Sequence, residues 1–489
     1  MPSSPLTRRR FLGEAGCAAL SSTSILSTLL NLQLANKAAA QELPASEDRK
    51  TLVCLFLHGG IDSFNLLIPR DDRYQEYLSS RTNLAIAQGD LLSLQQATGG
   101  DGKLYGLHPA TAGYQDLFNG LGGDEAKRRL SFISNIGTLV QPTSMADYHN
   151  GTAPLPRALF SHIDQIEQWQ TSVPQGMTEL TGWAGRAADV LHDTYNEDLL
   201  SMSLSFAGNN PFQVGDSTQQ FVMTANGALT FSERGGDANH VTQVKNEAFK
   251  SLINRHYHNL MEEAYASLTK NSIEQQAFVQ QVFDSVSDDF VSTTFPSTSF
   301  GSQLRSALKM IHLRESLGLR RQTIFLSYGG WDHHSELLNT QAGMLEQLAP
   351  AILAFQNGIE ELGLEDSVLT FSASDFGRTL RSNGNGTDHA WGGNQMVFGG
   401  PVDGGRIHGT YPSLALDGAD DVGYGGRLLP TTSVDEFFAE LLLWFGVKGR
   451  SNFEHVLPNL SSFYDVAQAN PLDPTTLPLG FLKPGTFES

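Results

Sequence analysis

Three short apolar runs along the chain each stop at small residues followed by an aspartate. Leu52-Val-Cys-Leu-Phe-Leu57 runs into His58-Gly-Gly-Ile-Asp62-Ser63-Phe-Asn65, Thr323-Ile-Phe-Leu326 into Gly329-Gly-Trp-Asp332-His333-His334, and Val368-Leu-Thr-Phe371 into Ser372-Ala-Ser-Asp375-Phe-Gly-Arg378. Runs of this length, bounded by glycines, read as buried strands. Between the second and third, Leu337, Leu338, Met344, Leu345, Leu348, Ile352, Phe355 and Ile359 recur at helical spacing and predict a helix over 335–362, kinked at Pro350. Strand, helix and strand at this spacing make a crossover, so the strands from Thr323 and Val368 are expected to be parallel.

The rest of the chain fills in around that frame. The pattern predicts a helix over 111–120, strands over 130–135, 200–206 and 395–398, and a closing amphipathic helix over 434–445. Ser161 opens a further helix whose Ile163, Ile166 and Trp169 share one face. Residues 239–293 are polar and rich in Gln, Asn and Glu, with Phe249, Leu252, His256, Leu260 and Tyr265 at roughly 3.6-residue spacing. Together with 302–317 they read as a helical subdomain inserted over about 239–320, within an α/β domain spanning 51–465. A Pro-rich tail, 466–489, follows.

The first forty residues read as an address. Thr7-Arg8-Arg9-Arg10-Phe11-Leu12 is a twin-arginine motif, and a weakly apolar Ala/Ser/Leu stretch leads from it to Ala38-Ala39-Ala40, a small-residue cleavage site. The expected partner is the twin-arginine export machinery, which carries folded proteins, and the expected location is periplasmic or secreted; residues 41–50 then form a linker. Cleavage removes Arg8, Arg9, Arg10, Lys37 and Glu14 and moves the formal charge from −20 to −23. So acidic a body argues against nucleic-acid binding. Cys17 leaves with the signal, so Cys54 is alone and no intrachain disulfide is expected. No later apolar run reaches the ~18 residues of a membrane span. The 48 glycines point to many sharp turns and close backbone approaches.

In α/β proteins the loops at the carboxyl ends of parallel strands carry the chemistry. The candidates there are Asp62, Ser161, Asp332, His334, Asp375, Asp388 and His389, the last two in the Gly386-Thr-Asp388-His389 turn. Carboxylates with imidazoles and no cysteine suit Zn2+, Mn2+ or Fe, whereas carboxylates alone suit Mg2+ or Ca2+. One or two ions would activate a nucleophile and bind the oxygens of a phosphate or sulfate ester, with Arg378 as a bidentate anion clamp. Each residue also has a plainer reading. Asp62 is a natural helix cap, Ser161 is either a cap or a nucleophile at a helix N-terminus, and Arg378 is a partner for an acid. No Gly-x-Ser-x-Gly elbow supports a metal-independent serine hydrolase.

These same residues carry a family resemblance. Gly59-Gly-Ile-Asp62-Ser-Phe-Asn65-Leu-Leu-Ile-Pro69, Leu107-His-Pro109, Ser161-His162-Ile-Asp164, Gly182-Trp-Ala-Gly-Arg186, Trp331-Asp332-His333-His334, Ser374-Asp375-Phe-Gly-Arg378-Thr379 and Gly386-Thr-Asp388-His389 resemble the domain of unknown function 1501 family. The resemblance implies export by the twin-arginine route and an alkaline-phosphatase-like three-layer α/β sandwich with a mainly parallel sheet. The resemblance bears on architecture more than on substrate; it is the ligand set and the helix-start serine that point to a metal-dependent ester hydrolase, the alternative being a binding or assembly protein that has lost catalysis on the same fold. By the resemblance, Asp62 and Asp375 would share one metal with Ser161 as nucleophile, and Asp332, His334 and His389 would hold another. Asn65, His162, Asp164, His333 and Asp388 flank these as secondary candidates. The Asp-His pair of the phosphatases reads Asp375-Phe376 here, one ligand short.

Overall fold

The computed structural model describes residues 48–176, 181–196, 200–228, 240–465 and 477–486. The expected export signal and most of the expected linker lie outside them, as does part of the tail. Strands are numbered along the chain: β1 (Lys50–Leu57), β2 (Leu67–Pro69), β3 (Leu92–Ser93), β4 (Tyr105–Leu107), β5 (Leu130–Gly137), β6 (Ser203–Ser205), β7 (Phe221–Thr224), β8 (Gly227–Ala228), β9 (Arg321–Ser327), β10 (Val368–Ser374), β11 (Gly393–Gly399), β12 (Ile407–His408) and β13 (Thr432–Ser433).

The main sheet runs β12-β5-β11-β10-β1-β9-β6-β7-β8, with β13 also on β5, while β2, β4 and β3 make a small sheet apart. Strand β1 is central and pairs parallel with β10 on one side and β9 on the other. All eight of its residues are buried, which is why its sequence is nearly continuous in apolar side chains rather than alternating. The expected crossover is present: the helix Leu337–Glu361 runs through Pro350 and links β9 to β10. Strand β11 lies antiparallel to β10, so it begins where β10 ends.

Helices flank this mixed, mostly parallel sheet in two groups. Leu337–Glu361 packs with Ser299–His312 and Ala112–Asn119, and Val434–Phe445 is grouped with His162–Thr171 and Trp183–Tyr195. In the second group the Trp183 ring stacks on Phe438 at 4.4 Å and lies 5.7 Å from Phe371 of β10, which ties helix to strand. Cys54 is buried in β1 as a free thiol.

The insert differs from its sequence reading. The helices His240–Ile253 and Leu260–Asp284 form, but Leu252, Leu260 and Tyr265 of the anticipated apolar stripe are exposed, and Leu260–Asp284 instead buries Ala266, Val279 and Phe283. The reason is geometric: the second half of Leu260–Asp284 is seated on β8, where the Ala228 amide donates to Gln280 at 2.9 Å. The 200–206 run shortens to the three residues of β6.

A candidate metal centre at the carboxyl ends of the strands

Because β1, β9 and β10 are parallel, their carboxyl ends open onto one rim, and the start of antiparallel β11 joins them there. Residues 377–391 fold back on themselves between β10 and β11: the Thr379 amide donates to Asp388, the Ala390 amide to Gly377, and Arg378 bridges to His389. This pairing sets Arg378 beside His389. Gly386 approaches the chain after β9 so closely that a Cβ would lie 2.2 Å from the carbonyl carbon of His334. From a third direction the helix His162–Thr171 begins at the same rim.

Asp332, His334, His389 and His162 meet here. Nε2 of His389 lies 2.9 Å from Nε2 of His334 and 3.3 Å from Oδ1 of Asp332. Nε2 of His334 lies 3.0 Å from the same oxygen, and Nε2 of His162 lies 3.4 Å from Oδ2. Donors at 2.0–2.2 Å from one ion, at right or tetrahedral angles, stand about 3.0–3.5 Å apart, so these spacings fit a shared cation. His162, Asp332 and His389 each offer one ligand atom within 4.8 Å of the others, and His334 touches two of these residues.

The far nitrogens orient the rings. Nδ1 of His162 is 2.7 Å from Oδ2 of Asp375, Nδ1 of His389 is 2.7 Å from the Phe160 carbonyl, and Nδ1 of His334 is 3.2 Å from Oδ1 of Asp388. All three partners are acceptors, so with a cation held between the Nε2 atoms each Nδ1 would carry the proton and each ring would turn its Nε2 lone pair inward. Nε2 of His162 is buried with no hydrogen bond. Lone pairs facing one another at such distances repel, and a cation between them removes the repulsion. Burial, with the Arg378 charge adding to it, holds the His389 pKa below the ordinary imidazole value, which keeps the ring in the neutral, ligating form. Burial works against ionisation of Asp332, but the hydrogen bond and charge of Arg378 outweigh it and its pKa falls.

Several expectations need correction. Asp62 does not join the cluster. Its buried carboxylate caps Ser63–Asn65 through the Asn65 amide at 3.2 Å and pairs with buried Arg81. Arg81 also donates to Asn65, whose own amide serves Leu84, so Asn65 is structural too. A cation is already spent on Asp62, so the residues present do not fit a second metal there. Asp375, buried after β10, orients His162 and accepts the Gly59 amide at 3.1 Å instead of facing the cluster.

Arg378 is no anion clamp. It is fully buried and its three nitrogens donate to Thr387, the Gly59 carbonyl and, at 2.6 Å, Asp332. It holds the metal candidate Asp332 in place. Buried His333 has neither ring nitrogen hydrogen-bonded, and burial lowers its pKa. Ser161 precedes His162 at the helix start, but its hydroxyl makes no cap; it donates to Oδ2 of Asp164 at 2.6 Å, and Oδ1 of Asp164 accepts from Arg157 at 2.8 Å.

Comparison with solved structures finds broad but shallow similarity. The chain is similar to lipoteichoic acid synthase LtaP from Listeria monocytogenes at 8 % identity, with a TM-score of 0.28 over 82 % of this chain and 77 % of that one. It is similar to the PsFucS1 sulfatase from Pseudoalteromonas sp. at 9 % identity, with a TM-score of 0.30 over 80 % and 69 %. It is also similar to the lipooligosaccharide phosphoethanolamine transferase EptA from Neisseria meningitidis at 8 % identity, with a TM-score of 0.30 over 97 % and 71 %. Comparison with curated proteins gives no match. Residues 206–455, which include β9, β10 and three of the four clustered side chains, match the family described as "Protein of unknown function (DUF1501)", and the chain belongs to that family.

Proposed function

We propose that the chain is an exported hydrolase of phosphate or sulfate esters that depends on one divalent cation. The observation that carries this is the convergence of three imidazole Nε2 atoms on Asp332, each ring fixed by an acceptor at Nδ1. A set of three nitrogens and a carboxylate suits Zn2+, Mn2+ or Fe2+ better than Ca2+, which prefers oxygen ligands. Once bound by His162, His334, His389 and Asp332, the ion would polarise an oxygen of the ester and offset charge as the bond to the alcohol breaks.

The chain's own residues supply the rest. Ser161 is the nucleophile of this reading: its proton passes along the 2.6 Å hydrogen bond to Asp164, its oxygen bonds to phosphorus or sulfur as the bond to the alkoxide breaks, Asp164 passes the proton on to that alkoxide, and water then cleaves the serine ester to release phosphate or sulfate. The amino end of the helix His162–Thr171 places positive dipole charge beside the transferred group. Arg378 keeps Asp332 ionised and in register. The twin-arginine signal supports a route by which the folded chain is exported with its ion in place, and no helix among the described residues is long and apolar enough to cross a membrane.

The test is elemental analysis of the purified protein followed by a panel of aryl phosphates, aryl sulfates and phosphodiesters. Asp332→Ala is expected to lose both ion and turnover. Ser161→Ala is expected to keep the ion and lose at least a hundredfold in kcat; full turnover in Ser161→Ala rules the serine out. Asp62, engaged by Arg81, favours a second reading, a metal-holding binding or assembly protein, and metal without turnover on the whole panel would select it.

A further inference from the structure

Arg427 lies beside the cluster and is the cation there that no acid claims. Its Nε donates to the His389 carbonyl at 2.9 Å, and among the described residues no carboxylate pairs with it. Two aromatic rings lie against its guanidinium, Phe160 at 4.0 Å and Tyr424 at 5.0 Å. Both aromatic residues have left-handed backbones, with φ of 74° and 61°. Non-glycine residues there cost of order 1–3 kcal/mol each and persist only where the surroundings impose them.

The surroundings do impose them here. Phe160 packs on a small separate apolar core of Leu139, Trp391, Val422 and Leu429, so the segments before His162 and around Arg427 share one foundation. The loop bearing Tyr424 is pinned by the Leu380 and Arg381 amides, which donate to Gly426 and Gly425. Tyr424 is nevertheless 80 % exposed, which apolar burial alone does not explain. A guanidinium flanked by rings keeps its outer N–H groups directed at whatever approaches, and such a fork matches two oxygens of an oxyanion.

We propose that Arg427, framed by Phe160 and Tyr424, is an oxyanion subsite that takes a phosphate or sulfate group of the ligand occupying the metal centre. This rests on the ester-hydrolase reading for its substrate class, and it fills the role that buried Arg378 does not. On a chain of net charge −20 an anionic ligand needs a local cation of this kind to be retained.

The test is calorimetric titration of the metal-loaded full chain with sodium phosphate and sodium sulfate, comparing wild type with Arg427→Gln and Arg427→Lys. Gln keeps a donor for the His389 carbonyl and loses the charge; Lys keeps the charge and loses the fork. Arg427→Gln is expected to weaken anion binding at least tenfold with metal content unchanged, and Arg427→Lys to recover part of that loss. Undiminished binding in Arg427→Gln, or no binding of either anion by wild type at millimolar concentration, overturns the subsite. Tyr424→Ala, which leaves the His389 contact alone, is expected to weaken binding several-fold, and equal binding there removes the rings from the proposal. Aryl-ester turnover is read separately, so absent turnover with intact anion binding sinks only the hydrolase reading.

Discussion

Asp375→Asn isolates the contribution of one hydrogen bond to the cluster. The carboxylate is 1 % exposed and works in two directions, accepting the Gly59 amide at 3.1 Å and the His162 Nδ1 proton at 2.7 Å. Asparagine is nearly isosteric but has one acceptor and one donor at its tip. If its oxygen stays on the Gly59 amide, its NH2 faces Nδ1 of His162 and selects the other tautomer, whose Nε2 carries the proton and cannot ligate. If it flips, its NH2 meets the Gly59 amide donor to donor. Either way one contact is lost, and loss of a carboxylate partner behind a ligating histidine weakens metal binding by about 10–100-fold, or about 1.4–2.7 kcal/mol. A competition titration of the metal-free protein with a chromogenic chelator reads this directly, with the thermal midpoint as a folding control. Wild-type affinity in a folded Asp375→Asn protein would refute the orientation argument.

Other substitutions probe the supports. Arg81→Met leaves the Asp62 carboxylate buried without its counter-charge and is expected to cost about 3–5 kcal/mol in urea unfolding; a loss below about 1 kcal/mol contradicts the pair's assigned role. Gly59→Ala places a Cβ 2.6 Å from the Asp332 nitrogen at a φ of +116°, so it should destabilise by about 1–2 kcal/mol and also release metal by moving Asp332; metal retention with only a stability loss would show that Asp332 does not depend on that contact. Asp435 is fully buried, with Oδ1 bonded to Ser172 and Oδ2 unpartnered, and burial raises its pKa to about 7. Between the ordinary carboxylate pKa and the raised one the unfolded chain ionises while folded Asp435 stays protonated, so the cost is absent below about pH 4, grows from there to about pH 7 and levels off at about 4 kcal/mol above it. The stability of Asp435→Asn relative to wild type should therefore rise between pH 4 and 8, and a pH-independent difference would show that Asp435 is not the group responsible.

Much of the fold was legible because its signals are local. β1, β9 and β10 are apolar runs with glycines close behind them, and the helix between the last two has a long, mostly apolar face. Asp332, His334 and His389 could be grouped from their places after the strands. The roles of Asp62 and Arg378 could not, because each is decided by a partner far along the chain: Arg81 comes from a helix with no distinguishing pattern, and Arg378 meets Asp332 only once 377–391 has folded back. His162 sat in view beside Ser161, but only its Nδ1 contact to Asp375, more than two hundred residues away, shows that it faces the cluster. The Phe160 carbonyl that fixes His389 is a backbone atom, and no side-chain pattern reports it. The insert misled because a helical stripe marks an apolar face without saying whether anything covers it.

The hydrolase chemistry requires that His162, His334, His389 and Asp332 hold a cation. Elemental analysis of the purified chain, with zinc or manganese titrated back after chelation, reads this directly beside His389→Ala and Asp332→Ala. One divalent ion per wild-type chain, lost in both variants while the fold persists, is the expected result. A wild-type chain that takes up no ion, or variants that bind it as tightly, would show that these four side chains are not its ligands.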